Sequence, residues 1–192
     1  CGQCVRKRVG ATEKMLQPLP AAFSGRDTTL VARGLLGQLL VHGPRVGRIV
    51  ETEAYIGPHD HACHSYKGRT PRTEVMFGAP GRAYVYLIYG MHLCFNVVTG
   101  NGAAVLIRAL EPVDGIDART DGPGRLTKAL GLSLRAHNGV ALDAPPFFLA
   151  RGEEVAPRHI TATARIGVDY AGSWARRKLR FFDKRSAFVS AR

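Results

Sequence analysis

Between residues 48 and 72 the sequence reads RIVETEAYIGPHDHACHSYKGRTPR. Its Glu51, Glu53, His59, Asp60, His61, Cys63 and His64 are all types able to bind a transition metal. Its carboxylates could equally take a proton from water. Spacing separates these two chemistries. A zinc centre needs three or four converging ligands, each oriented by a further hydrogen bond. His61 and His64 are three apart with Cys63 between them, but GPHDHACHS contains Gly-Pro and reads as a loop. The helical HxExxH pattern is absent, as is the PCxxC partner of the zinc deaminases. No metal and no cofactor is therefore expected. The carboxylate reading needs less, since one Glu beside an aromatic on a strand can act as a general base toward water. Against it stand two plainer readings: a Glu ion-paired with one of many arginines, and Tyr55, Tyr84, Tyr86 and Tyr89 packed as ordinary sheet aromatics. Taken together, a carboxylate, several aromatics and a basic surface are the parts needed to hold an extruded base and attack its sugar.

These residues must be positioned by the elements around them. GRIVETEAYIG is predicted as a strand, with Ile49, Glu51, Glu53 and Tyr55 on one face and Val50, Thr52, Ala54 and Ile56 on the other. The second face is core-like, which turns the carboxylates and Tyr55 toward a cleft or solvent. Upstream, residues 5–26 read as an irregular, proline-punctuated entry. Asp27 is then a good N-cap for a helix in TTLVARGLLGQLL, with Leu30, Val31 and Leu35 on a shared face. Downstream, RAYVYLIYGMHLCFNVVTGNGAAVLIRALEP gives three β-rich runs broken at Gly90-Met91 and at TGNG. Tyr84 and Tyr86 share a face of the first run, and Tyr89 falls at the first break, where an aromatic protrudes. DGPGRLTKALGL is a short helix with Pro123 in its first turn and Gly131 at its end, and its glycine-rich start favours an anion such as phosphate. Further strands follow, ending in the basic aromatic stretch WARRKLRFF. Strands lead helices without regular alternation, so the class is α+β.

The whole chain sets the bounds. Its 192 residues fit one domain, and a mean hydropathy of −0.07 is that of an ordinary globular protein. No apolar run approaches the roughly 20 residues needed to cross a bilayer. Lys and Arg number 27 against 15 Asp and Glu, for a net charge of +12, which points to a polyanion such as nucleic acid. Of the four cysteines, Cys1 and Cys4 form a lone CxxC, while Cys63 and Cys94 have the apolar surroundings of buried thiols. A reducing, cytoplasmic setting is expected, nucleoid-associated in a bacterium. A first residue of Cys in place of Met suggests a trimmed or engineered N-terminus.

VETEAYIGPHDHACHS, TPRTEVMFGAPGRAYVYLIYGMHLCFNVV and AAVLIRALEP closely resemble the alkyladenine (3-methyladenine) DNA glycosylase family. GPGRLTKALGL and ARIGVDYAGSWARRKLRF match it in the same order, so the resemblance runs from about Gly25 to Arg192. It implies a glycosylase domain over residues 23–192, preceded by an irregular basic extension over 1–22. The implied domain is compact, with a curved antiparallel sheet, flanking helices and a protruding β-hairpin. The implied activity is excision of a damaged purine (3-methyladenine, 7-methylguanine, hypoxanthine or ethenoadenine class) flipped out of double-stranded DNA, leaving an abasic site. The protein would act as a monofunctional enzyme and a monomer, without a membrane. By the same resemblance Glu53 activates water, and Arg108 and the Ile166 carbonyl help to hold it. Tyr55, His64 and Tyr86 wall the flipped base, with His64 reading its edge. Asn96 rejects guanine, and Tyr89 fills the hole in the duplex with Met91 nearby. The phosphate-binding helix start places Gly124 and Arg125 on DNA.

The chain departs from the family in having only IDART between RALEPVDG and DGPGRL, which should trim a surface segment. His59, His61 and Cys63 lie outside the family's recurring pattern, whereas Asp60, Ala62 and His64 lie within it. Two other functions compete: a non-catalytic module that scans DNA for lesions with Tyr89, and a metal-dependent hydrolase built on the histidines.

Overall fold

The computed structural model describes residues 5–9 and 12–190, with side chains from residue 16 to 190. Cys1 and Cys4 lie outside them. Val5–Val9 (β1) and Thr12–Leu16 (β2) pair antiparallel as a separate ribbon, so this stretch carries regular backbone where irregular chain is expected from the sequence.

Helix α1 spans Thr28–Gly34, and the Asp27 carboxylate caps it by accepting from the Thr29 and Leu30 amides. It is shorter than the apolar run suggests. Gly37 takes φ of +85°, ending helical progression, and Leu39–His42 continues as strand β3. Val31 and Leu35 face the core as expected, but Leu30 points outward.

The centre of the molecule is Arg45–Tyr55 (β4). Beyond it lie Ala83–Ile88 (β5), His92–Gly100 (β6), Ala103–Asp114 (β7), Phe147–Ala150 (β8), Ile160–Thr163 (β9) and Arg180–Asp183 (β10). The main sheet has the order β5-β6-β7-β4-β10-β9, and β3 joins β4 to β8. Every pairing is antiparallel, and helices Pro123–Leu130 (α2) and Leu134–His137 (α3) lie on or beside the sheet. Gly131, at φ of +70°, terminates α2 as its place in the sequence implies.

Both faces of β4 are covered, which revises the expected cleft-facing side. Residues 46–47 and 49–54 are buried throughout. The β4–β7 register slips on either side of Glu51, and Val50 is left without a partner on β7. Ile49 joins the main core with Ala54, Ile107 and Leu110, so the alternation changes phase at Val50. Glu51, Glu53 and Tyr55 remain on the other side of the strand. There the flanking strands supply cations: Arg108 comes from β7 and Arg180 from β10. Main-core packing is anchored by Phe95, Phe181, Leu126 and Leu130, all essentially inaccessible.

Candidate active site

Strand β4 presents two adjacent carboxylates, and their surroundings divide their roles. Glu51 is saturated. Its Oε1 accepts from Arg180 Nε (2.7 Å), Arg108 Nε (3.1 Å) and Ser190 Oγ (2.9 Å), and its Oε2 accepts from the Ser190 amide (2.6 Å). It is a structural anion holding three segments together. Glu53 is equally buried but less fully engaged. Its Oε1 accepts from the Ile166 amide (2.8 Å) and pairs with Arg108 Nη1 (3.2 Å), and its Oε2 accepts from the Tyr55 hydroxyl (2.9 Å). A carboxylate offers about four acceptor positions. Three are used, leaving one on Oε2. Burial raises the Glu53 carboxyl above its ordinary value of 4.5, opposed by Arg108, the Ile166 amide and the Tyr55 hydroxyl. The outcome is a carboxylate more basic than usual yet held in place by a cation.

Next to this pair is a cavity of about 220 Å³. Tyr55, His64, Tyr86, Tyr89, Asn96 and Ile166 all line it, so six residues expected from the sequence are brought together. Neither Glu53 nor Arg108 is part of its wall. They stand behind it, reached past Tyr55 and Ile166, which are both wall residues and Glu53 partners. The Ile166 backbone joins the wall to Glu53 through its amide, which donates to the carboxylate (2.8 Å).

The walls are fixed from behind. His64 Nδ1 lies 3.0 Å from the Tyr84 hydroxyl, and its ring meets Tyr86 edge-on at 4.5 Å. Burial, with help from Arg72, lowers the His64 pKa to about 4, so the imidazole is neutral at physiological pH. Burial also raises Tyr84 to about 12 and Tyr55 and Tyr86 well above the ordinary phenol, keeping all three hydroxyls protonated. The Asn96 amide donates to the Tyr84 carbonyl (3.0 Å), which pins its side chain across the β5–β6 pair.

At the end of that pair the chain turns at Tyr89 and Gly90, both at positive φ (52° and 70°), and the Met91 amide donates to the Ile88 carbonyl (3.2 Å). Tyr89 is 82% exposed and Met91 72%. A bulky residue in the left-handed region costs about 1–2 kcal/mol relative to Gly, and here no burial offsets it. Tyr89 stands between two cavities. The second is a cleft behind the hairpin, lined by Ile88, Tyr89, His92, Cys94, Gly122, Pro123, Gly124, Arg125 and Lys128. Arg125 and Gly124 therefore lie on this second cleft and not on the aromatic cavity. Gly124 packs so close to His92 that a Cβ would come within 3.2 Å of it, which gives this glycine a packing reason as well.

The sequence assigns no supporting role to Asp60, Arg165 or Tyr170, although Asp60 is a possible ligand type within the family pattern. Asp60 and Arg165 form a fully buried two-point ion pair, Nη1–Oδ2 at 2.5 Å and Nη2–Oδ1 at 2.8 Å. This clamp fixes the segment that carries the Ile166 amide. Tyr170, 73% exposed, lines the cavity mouth. Both Asp60 and Arg165 fall inside motifs that carry the family resemblance, which was the available signal. Cys63 and Cys94 are buried and unpaired with each other, as expected. His61 stacks near Tyr66 and Trp174, and His59 near Trp174. Among the described residues no three His, Cys, Asp or Glu side chains converge to hold a metal ion, and no helix is long and apolar enough to cross a membrane.

Comparison with known proteins bears on this geometry. The family model described as methylpurine-DNA glycosylase matches residues 22–187. A protein of Myxococcus xanthus provisionally named a 3-methyladenine DNA glycosylase is 59% identical over 181 residues, covering 90% of this chain and 93% of that protein. Proteins with the same provisional name from Legionella pneumophila and Methanoculleus marisnigri are 50% and 48% identical, each aligned over 91% of this chain and 99% of its own length.

Proposed function

The chain belongs to the methylpurine-DNA glycosylase family, and from that premise we propose that it removes damaged purines from double-stranded DNA by hydrolysing the N-glycosidic bond. The observation that carries this reading is the arrangement of Glu53: buried, anchored by Ile166 and Arg108, and left with one acceptor position beside an aromatic cavity. Water bound at that position gives its proton to Glu53 as its oxygen bonds to C1′. The C1′–N9 bond breaks, and its electron pair leaves with the base. For 3-methyladenine or 7-methylguanine the base departs neutral, because it began as a cation. Hypoxanthine or ethenoadenine needs a hydrogen bond to the leaving base, and a neutral His64 at the cavity wall is able to donate one. Among the described residues no lysine lines the cavity, which supports water as the nucleophile and an abasic site as the product.

The other roles follow from position. Tyr55, His64 and Tyr86 stack around the extruded base, and each cation–π contact to a charged base contributes about 0.5–2 kcal/mol. Asn96, pinned by the Tyr84 carbonyl, stands where the exocyclic amine of guanine would need room. Tyr89 enters the duplex as a wedge with Met91 beside it, offsetting a few kcal/mol of unstacking. Arg125 and the start of α2 at Gly124 meet the phosphate backbone, where the net charge of +12 provides general attraction. The protein acts as a monomer. Single-turnover incubation with duplexes carrying one 3-methyladenine, 7-methylguanine, hypoxanthine or ethenoadenine, followed by alkali, is expected to cut the strand at the lesion. A protein that binds these duplexes and releases none of the bases is a lesion-scanning module instead.

A further inference from the structure

Tyr55 has two faces, and a fixed cation occupies one of them. The Arg165 guanidinium carbon lies over the Tyr55 ring, 4.7 Å from its centroid. Arg165 is fully buried and is not part of the cavity wall, whereas Tyr55 is. The cation therefore reaches the Tyr55 ring from outside the cavity wall. Asp60 holds the guanidinium at its Nη1–Nη2 edge, and Nη1 also donates to the Ala54 carbonyl (2.9 Å). Nη2 also donates to the Trp174 carbonyl (3.5 Å), and the buried Nε has no acceptor among the described residues.

An aromatic ring carries negative potential on both faces. A permanent cation against one face draws on that potential and weakens the attraction of a second cation for the other. A cationic alkylated purine depends on this attraction, and a neutral purine of the same shape does not. We propose that Arg165, acting through Tyr55, sets the lesion class of the pocket. It reduces the advantage of cationic alkylpurines, so that neutral deaminated or ring-bridged purines compete for the same site. The inference rests on the glycosylase reading and adds to it a specificity-determining residue outside the cavity.

The readout is the ratio of single-turnover excision rates for 7-methylguanine and hypoxanthine in otherwise identical duplexes. The paired substitution Asp60→Asn with Arg165→Gln removes both buried charges together and leaves no orphaned ion. It is expected to shift the ratio toward 7-methylguanine by about threefold to tenfold, the size of one cation–π contact. Arg165→Lys keeps the charge but not the two-point geometry, and is expected to shift the ratio less than the paired substitution does. A merely structural role would slow both reactions alike, and an unchanged ratio in the paired variant overturns the proposal. Should that variant fail to fold, the unaltered protein is titrated with free hypoxanthine and with a permanently cationic N-methylated purine as competing ligands. A preference for the cation below about thirtyfold, the most that a single such contact is expected to give, supports the proposal, and a larger one overturns it. A parent protein inert toward both lesions refutes the glycosylase reading itself, which is a separate outcome.

Discussion

Replacing Glu53 with Gln separates chemistry from binding, and its size can be worked from the surrounding hydrogen bonds. An amide oxygen at the Oε1 position keeps both the Ile166 amide (2.8 Å) and Arg108 (3.2 Å) as partners. The amide nitrogen then falls at the Oε2 position, where the Tyr55 hydroxyl can reverse and accept from it. Arg108 retains Glu51 as its counter-ion. The fold is therefore expected to survive, with a stability change of about 1 kcal/mol or less, since a buried charge and its charge-assisted bonds disappear together. What changes is the fourth position. Under the proposed mechanism it offers a lone pair to water, and in the variant it offers an N–H. Loss of a general base lowers the rate by about 10²–10⁴-fold, or roughly 2.7–5.5 kcal/mol of barrier. Single-turnover excision should fall by that factor while affinity for a lesion duplex and the melting temperature stay near the parent values. Excision within tenfold of the parent, in a folded variant that still binds DNA, would remove Glu53 from the role of base.

Excision should also fall as pH drops through the raised Glu53 value, above the ordinary 4.5, because the base works only when ionised. His64, at about 4, is neutral through that range, and no alkaline limb is expected below pH 9; a limb centred near 6.5 in a pH–rate profile would point to His64 instead. Tyr89→Gly relieves a positive-φ tyrosine and should raise stability in urea by about 1 kcal/mol while slowing excision from duplex more than from single strands. Asn96→Ala should open the cavity beside Tyr84 and allow release of undamaged guanine, read as alkali-labile sites at guanines in unmodified duplex. Gly37→Ala would place a Cβ 1.9 Å from the Glu153 carbonyl oxygen at φ of +85°, and the urea midpoint should fall by the equivalent of several kcal/mol, roughly the upper range for single substitutions.

Local signals in the sequence carried far where the physics is local. Alternation in ETEAY aligned Glu53 with Tyr55, Gly90 marked the hairpin turn, and Gly131 marked the end of α2. What was not legible depends on distant partners. Glu51 and Glu53 look destined for a cleft until Arg108 and Arg180, 57 and 129 residues from Glu51, cover them. Likewise GLLGQLL looks like helix until Gly37 adopts a positive φ and β3 pairs with β4 and β8. The bulge at Val50 is set by how β7 pairs with β4, and nothing in the alternation of residues 49–56 announces it.

The three segments that meet at Glu51 and Glu53 also impose an order of events on synthesis. Glu53 leaves the ribosome early, yet its Ile166 partner follows 113 residues later and the Ser190 contacts to Glu51 follow by 139. At about 5–20 residues per second, some seconds pass in which a nascent chain carries its carboxylate without the amide that aims it. A chain interrupted before Ile166 would lack both the amide that anchors Glu53 and strand β10, which pairs with β4. Partial products of translation can thus be sticky toward DNA through their basic charge, but they cannot create abasic sites until the distant end of the sheet has closed.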